Sequence, residues 1–550
     1  MNEEEIRGWP WLGDHEPYPR LPHARPVLAE CGMVSTPHHL ATQIGVGVLR
    51  DGGNAVDSAI AASAALMVTL PMQCSPGGDA VWLIREPGGN VVSLDATGRS
   101  PKSASADKLR CQGLTSIPLR SAHAVTVPGA VNGWVEALRR YGTRPLAELL
   151  EPAARLAERG FFVSRHLHAS FCAALRVLNR TGAIELWSTD GVAPGVYARL
   201  RQPQLAETLR VIARTQGRAL YEESLARQIV EAVNSSGGEF ALEDLASYRA
   251  EWTEPLSMNF RGLLLHTSPP PTQGASLLEA AGIVEKLSPQ PLDPTTPESV
   301  HIMIESVSLA LEDRDRFIGD GKPHQLQPMS LFEPSYVASI AERFDARQVR
   351  HREQTASPAR NLGGTAHLAV VDADRRAVSL IQSLFFDFGT GIPVAPGGFT
   401  LQNRGAAFSL QTGSVNELAP GLRPRTTLMP TLASMDSQLL LVLGCMGGDG
   451  QVQTQLQLLV AMLDAKLDPQ QAATSPRWYL DRGGGSGSRV LLEEGFDQAL
   501  IEGLREIGHE TLILGPAEEI MGHAQVIAVE RTGALVGAAD GRSDGQAAGW

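Results

Sequence analysis

The chain has 550 residues, with 47 Lys and Arg against 60 Asp and Glu, for a formal net charge of −13. A balance that mild, at a pI near 5.6 and without any basic run, argues against general binding to nucleic acid or anionic membranes. With 43% hydrophobic and 19% charged residues, the composition is that of a globular protein with a large core, long enough for roughly three to four domains or one large α/β fold.

The five cysteines (Cys31, Cys74, Cys111, Cys172 and Cys445) are scattered and form no C-x-x-C. They support neither a disulfide framework nor a zinc site, and they fit a reducing compartment. The acidic start, Met1-Asn-Glu-Glu-Glu, lacks the basic and apolar regions of a secretory signal. There is no stretch of about 20 apolar residues of the kind that spans a bilayer. The expectation is a soluble, cytoplasmic protein.

Residues 1–30, with Pro10, Pro17, Pro19, Pro22 and Pro26, read as an extended arm. Thr36-Pro37 offers a helix N-cap followed by proline at the first helical position. Gly52-Gly53-Asn54 ends that helix, and Ala55 to Leu70, almost wholly small and apolar, predicts a buried one. Gly77-Gly78-Asp79 leads into a strand over Ala80–Arg85 and a return over Val91–Asp95. Arg99 lies in the loop that follows. Residues 120–320 read as mostly helical, including a helix after the Pro269-Pro270-Pro271-Thr272-Gln273-Gly274 turn and an amphipathic one over His301–Phe317. Residues 321–360 are polar and read as a mobile connection.

From Asn361 the pattern changes. Gly363-Gly364-Thr365-Ala366 runs into an apolar strand through Val371, a polar turn follows at 372–376, and Ala377–Leu384 reads as the return strand of a hairpin. Beyond it come a strand at Phe399–Asn403, a loop over 404–425 long enough to suggest function, and an apolar strand at Leu439–Leu443. A glycine turn, Gly444 to Gly450, then opens a helix at Val452. Short strands at Arg489–Leu492, Thr511–Leu514, Ala524–Val529 and Ala534–Ala539, with a helix at Phe496–Ile507, complete the chain. Strands packed between helices are expected.

Two features carry chemistry. Thr365 follows two glycines, and a cut at Gly364-Thr365 would make it an N-terminal residue whose α-amine serves as its base; a threonine hydroxyl needs such a base to be a nucleophile. The plain alternative is a threonine at a strand start. Gly447-Gly448, between a buried strand and a helix, can aim backbone N–H groups at a developing oxyanion, or can simply be a tight turn. No third glycine and no Gly-Lys-Ser/Thr follows, which weakens phosphate binding. The Gly483–Gly487 loop is not a G-x-S-x-G elbow and reads as a flexible linker.

Taken in order, Thr365-Ala-His-Leu-Ala-Val-Val-Asp, Phe388-Gly-Thr-Gly, Leu401-Gln-Asn-Arg, Pro424-Arg-Thr-Thr-Leu-Met-Pro, Gly447-Gly448 and Asp540-Gly-Arg-Ser-Asp resemble the γ-glutamyltranspeptidase family of N-terminal-nucleophile hydrolases. Gly52-Gly-Asn-Ala-Val-Asp57, Gly77-Gly78-Asp79, Val127-Pro128-Gly129 and Asp313-Arg-Asp-Arg extend the resemblance over roughly residues 30–550. It implies a four-layer αββα sandwich and a proenzyme cut before Thr365. The large chain would comprise 31–364 after the 1–30 arm and the small chain 365–550, intertwined in one domain. Thr365 would form an acyl-enzyme, Ser383 would orient it, Gly447 and Gly448 would supply oxyanion N–H groups, and Thr426-Thr427 would touch a substrate carboxylate. No metal or organic cofactor is implied. Water or an amine would release the acyl group, and the processed chains would stay associated, with higher oligomers open.

The departures concern substrate. Where glutathione-handling members have an Arg for the α-carboxylate, this chain has Thr97, with Arg99 two residues on. Phe385 stands in place of an Asn, and Arg404 and Ala407 in place of Gln and Asp. Losing the acidic partner of an ammonium group removes a bond of about 1.5–3 kcal/mol. Arg99 and Arg404 remain as cations for a carboxylate. The expected function is therefore cleavage of γ-glutamyl or related carboxylate-bearing amides. The alternatives are an oxamate-amidohydrolase-like or cephalosporin- or glutaryl-acylase-like hydrolase, and an unprocessed, non-catalytic relative.

Overall fold

A long hairpin at the centre of the chain sets the architecture. In the computed structural model, which describes residues 25–320, 328–350, 363–482 and 489–550, Gly363–Val371 pairs antiparallel with Ala377–Phe386, from Val371 opposite Ala377 to Thr365 opposite Ser383. Every residue of both strands is buried, so each face of the hairpin must meet another layer.

One face, Ala366, Leu368, Val370, Val378 and Leu380, packs on the helical layer that contains Ala55–Thr69. The other face, Ala369, Val371 and Ala377, packs on Leu432, Val442, Ile527 and Leu535 of a second sheet. The far side of that sheet, Ala433, Leu441 and Leu443, packs on helices Gly274–Leu287, Pro297–Phe317 and Gly450–Leu463. Helix, sheet, sheet, helix: this is the four-layer αββα sandwich that the resemblance implied.

The first sheet runs Gln546–Gly549, Met33–Thr36, Gly363–Val371, Ala377–Phe386, Asp79–Arg85, Val91–Ala96, Glu251–Thr253. The second runs Val27–Ala29, Leu535–Ala539, Ala524–Val529, Gln438–Cys445, Thr431–Met435, Leu263–Thr267, Leu256–Phe260. Both sheets mix strands from before and after Thr365, so neither half of the chain owns a sheet. A polar contact joins the sheets through their apolar seam. His367 Nε2 lies 2.9 Å from Ser379 Oγ, which donates to Leu443 O at 3.1 Å. Burial pushes His367 down to about 3, so the ring is neutral.

Several local expectations change. The first helix is His39–Arg50, capped by the His38 ring accepting from Leu40 N, not by Thr36; Thr36 is claimed by the strand that pairs with Gln546. The largely helical middle of the chain hides a hairpin, Leu256–Phe260 with Leu263–Thr267, turned by Arg261 and Gly262 at φ 52° and 81°. The strand expected at Phe399–Asn403 stops at Thr400, because Gln402 and Asn403 turn their side chains to Asp79 and Phe386 N. Of the connection expected over 321–360, the described part is structured: helix Pro334–Ala341 packs Val337, Ile340 and Ala341 on Ile283 and Leu309. Its other parts, the Gly483–Gly487 loop and most of the arm lie outside the described residues, and the arm's last residues, Val27–Ala29, form an edge strand. Among the described residues no helix is long and apolar enough to cross a membrane.

The seam is tight at Gly444, where a Cβ would lie 2.4 Å from the His367 ring. Gly444→Ala is expected to cost about 1–3 kcal/mol by overpacking, read as a lowered urea midpoint with an unchanged slope.

Candidate active site

The hairpin's open end is built by close backbone approaches. A Cβ on Gly364 would meet Phe386 C, Asp387 N and Met72 O at 2.8–2.9 Å, and one on Gly78 would meet Ser383 O at 2.6 Å. No side chain fits at either position. The pairing register shifts between Gly364 and Thr365, so the backbone is irregular at the bond ahead of the threonine. Thr365 Oγ1 lies 2.9 Å from Ser383 Oγ, which donates to Gly364 O at 2.8 Å and accepts from Phe385 N at 2.7 Å. Both hydroxyls are buried.

Ser383 is also directly opposite Asp79 on its other neighbour. Directly paired residues share a face, so Thr365, Ser383 and Asp79 form one row across three strands, on the face that looks toward the second sheet. At about 4.8 Å per strand, Asp79 sits on the order of 10 Å from Thr365. Asp79 Oδ1 accepts from Gly98 N and Gln402 Nε2, each at 2.8 Å, while Oδ2 faces Arg404 Nε at 3.5 Å. Among the described residues, none of the three guanidinium nitrogens of Arg404 has a hydrogen-bond partner, and the side chain is 0% exposed. The Phe385 ring lies under it, 4.6 Å from centroid to guanidinium carbon. Phe385 adopts φ 78°, an outlier for so bulky a residue. Burial pushes Asp79 up to about 7 against the pull of Arg404, and pulls Arg404 down to about 10.

The second sheet contributes the glycine turn. Gln438–Cys445 ends at Gly447 and Gly448, with φ 133° and 57°, ahead of helix Gly450–Leu463. The turn is pinned from behind. Gln273 Nε2 donates to Thr427 O at 2.9 Å and Gly448 O at 3.0 Å, and its Oε1 accepts from Arg314 at 2.8 Å. Arg314 in turn pairs with Asp449 at 2.7 Å and with Asp315. Burial opposes the Arg314 charge, but the two carboxylates outweigh it and raise its pKa. Thr426 and Thr427 enter this turn region, and the buried Thr427 Oγ1 has no hydrogen-bond partner among the described residues. Arg99, by contrast, is engaged: it pairs with Glu251 at 2.8 Å and Asp320 at 3.3 Å and donates to Gly421 O.

A family model described as gamma-glutamyltranspeptidase matches residues 41–550. The chain belongs to the γ-glutamyltranspeptidase family. It is 35% identical over 532 residues to the glutathione hydrolase-like YwrD proenzyme of Bacillus subtilis, covering 95% of this chain and 99% of that one. It is 36% identical over 530 residues to the oxamate amidohydrolase proenzyme of Klebsiella pneumoniae, covering 94% and 98%. Its fold matches the crystal structure of cephalosporin acylase from Bacillus halodurans with a TM-score of 0.89 and 32% identity, over 98% of this chain and 99% of that one. These are N-terminal-nucleophile hydrolase relatives, and the αββα sandwich of this γ-glutamyltranspeptidase family member is theirs.

Two residues at this site carry more than their sequence context showed. Gln273 sat unremarked in the proline-rich turn before a helix, and Asp79 was part of a motif without a role; only the opposing strand and loop reveal what each touches. A metal-like grouping, His301, Glu305 and His509, also occurs. Its donors are already engaged, with His301 bonded to His509 and to Asp345 O, each at 2.8 Å, and Glu305 facing Arg350 at 3.7 Å.

Gln273→Ala would leave the Thr427 carbonyl and an Arg314 N–H unpaired in the interior, while the Gly448 carbonyl would keep only its bond from Gln451 N. It is expected to cost about 1–3 kcal/mol for each group left unsatisfied, measured by urea denaturation, with Gln273→Met no better because it also lacks the amide.

Proposed function

We propose that this protein is a self-processing amidohydrolase that uses Thr365 as an N-terminal nucleophile on small, carboxylate-bearing amides. The observation that carries the reading is the contact among Thr365 Oγ1, Ser383 Oγ and Gly364 O at 2.9 and 2.8 Å. A hydroxyl thus lies beside the preceding carbonyl, whose oxygen already accepts a proton donor. Thr365 Oγ attacks the Gly364 carbonyl carbon and forms an ester, the Ser383 hydroxyl stabilises the developing oxyanion, and the Gly364–Thr365 amide bond breaks as the nitrogen takes the proton given up by Oγ and departs as the new amine. Water then cleaves the ester and frees a large chain ending at Gly364.

In the processed enzyme the Thr365 amine, with a reference pKa of about 7.7–8.0, takes the proton from Oγ as the hydroxyl attacks the substrate amide. Backbone N–H groups at Gly447 and Gly448 receive the tetrahedral oxyanion, the leaving amine departs, and water releases the acid. The scheme needs no metal or organic cofactor. Substrate class follows from charge. Arg99 is neutralised by Glu251 and Asp320, whereas Arg404 is buried with unmet N–H groups beside Asp79, the far member of the row that holds the nucleophile. Arg404 is the candidate partner for the acyl group's carboxylate, with Thr426 and Thr427 as hydroxyl contacts. Phe385 and Ala407 offer no partner to an α-ammonium, which favours a simple dicarboxylic monoamide over a γ-glutamyl group. The oxamate amidohydrolase and cephalosporin acylase names of two relatives accord with that preference. γ-Glutamyl cleavage is the second reading, supported by the Thr426-Thr427 pair and by the glutathione hydrolase relatives.

On a denaturing gel the purified protein is expected as two bands, with Thr365→Ala remaining at 58.8 kDa and Ser383→Ala processing about 100- to 1,000-fold more slowly. A single wild-type band after long incubation overturns the reading. Oxalyl or glutaryl amides should exceed a γ-glutamyl anilide in kcat/KM by about 10- to 100-fold; the reverse order, with acceleration by glycylglycine, would establish γ-glutamyl transfer.

A further inference from the structure

We infer that Asp79 is a proton-coupled partner of the anion site: Arg404 releases Asp79 to take the substrate's carboxylate, and Asp79 takes up a proton as it does so. This rests on the assignment of Arg404 to the acyl carboxylate made above.

The argument begins with counting charge in a closed space. Arg404 and Asp79 are each 0% exposed, and their closest approach, 3.5 Å from Nε to Oδ2, is at the outer edge of hydrogen bonding. Neither Asp79 Oδ2 nor any guanidinium nitrogen of Arg404 has a hydrogen-bond partner among the described residues. A buried pair this poorly joined has donors to spare for a second carboxylate. When that carboxylate arrives, one cation faces two anions away from water, which is costly unless one of them becomes neutral. Asp79 is the group placed to do so. Oδ1 stays anchored to Gly98 N and Gln402 Nε2, and Oδ2, with no donor directed at it, can carry the proton.

The surroundings leave Asp79 as the group that responds near neutral pH. Burial has already moved it up to about 7, and Asp95 pushes the same way. Asp95 itself is matched by Arg423 at 3.4 Å, which also reaches Glu251 at 3.1 Å. The nearby phenols of Tyr221 and Tyr248 donate to Pro128 O and Thr97 O. Burial pushes both well above the ordinary tyrosine value, so they stay neutral. Phe385 covers one face of Arg404 and keeps water from screening the pair.

The sign follows. Below about pH 7 Asp79 is largely protonated before binding, so the anion binds without proton exchange. Above it, binding must draw a proton, so affinity falls with rising pH, by up to about tenfold per unit. The test is titration calorimetry on the wild-type protein with oxalate and glutarate, the acids that an oxalyl or glutaryl amide would release, between pH 6 and 8.5 in buffers of different ionisation enthalpy. At pH 8 wild type is expected to take up about one proton more per anion than Asp79→Asn, and at pH 6 the two should agree. The Thr365 amine is common to both proteins, so it cancels in the difference. Arg404→Gln should retain the wild-type melting transition or be matched by Arg404→Met in folding, and should lose anion binding at every pH. Equal proton uptake in wild type and Asp79→Asn at pH 8 overturns the inference, as does failure of both anions to bind wild type. The gel separates this from the parent reading: two bands with no difference in uptake sink only the coupling, while one band with the difference intact sinks only the amidohydrolase.

Discussion

Thr365 opposite Ser383, and Ser383 opposite Asp79, is a pairing register, and the site depends on it. A slip of one residue in the strand Gly363–Val371 would turn Thr365 to the helical face, where Leu368 belongs, and away from Ser383 and Asp79. The apolar alternation of Gly363–Val371 prevents this, because the slip would also carry Leu368 and Val370 out of the helical core. The hydrophobic pattern that stabilises the fold therefore also aims the hydroxyls. The irregularity needed at the end of the row is confined to Gly364 and Phe385, where the strands part.

Charge in the same region is treated in two ways. Arg99, Arg423, Asp95, Glu251 and Asp320 form a cluster in which each cation meets carboxylates at 2.8–3.4 Å. Arg314 is likewise held by Asp449, Asp315 and Gln273. Both groups hold loops to the sheets: the first ties the 404–425 loop to the strand Val91–Ala96, the second fixes the glycine turn. Arg404 and Asp79 are the exception, equally buried yet incompletely joined. Groups paired with carboxylates in this way fix structure, and the buried, incompletely joined Arg404–Asp79 pair is the one proposed above to bind.

Much of this was legible in the chain alone, and the reasons for success and failure are physical. The hairpin at Thr365, the buried helix after Asn54 and the terminal strands follow from periodicity, since their faces are covered by layers of like character. The cap of the first helix was missed because Thr36 lies in a strand whose partner, Gln546, is 510 positions away in the chain. Helix Pro334–Ala341 was hidden by its polar flanks, though Val337, Ile340 and Ala341 have helical spacing. At the site, Thr365, Ser383 and the two glycines stood out through local pattern and family resemblance. Arg99 and Arg404 looked alike as loop cations, and only the positions of Glu251, Asp320 and Asp79, set by tertiary structure, distinguish them.

The mixing of strands from either side of Thr365 within both sheets bears on the lifetime of the molecule. A protein cut at that point holds its two pieces by shared sheets and a common seam, so they part only when the whole sandwich unfolds. Before the cut, folding is unimolecular; after it, regaining the fold requires two chains to meet, at a rate that depends on their concentration. Such a cut would turn a reversible fold into one whose persistence is governed by the unfolding barrier. A form cut in this way would be kept intact by how slowly it opens, and a heat-denatured sample of it would recover poorly on dilution although nothing covalent had been lost since the cut.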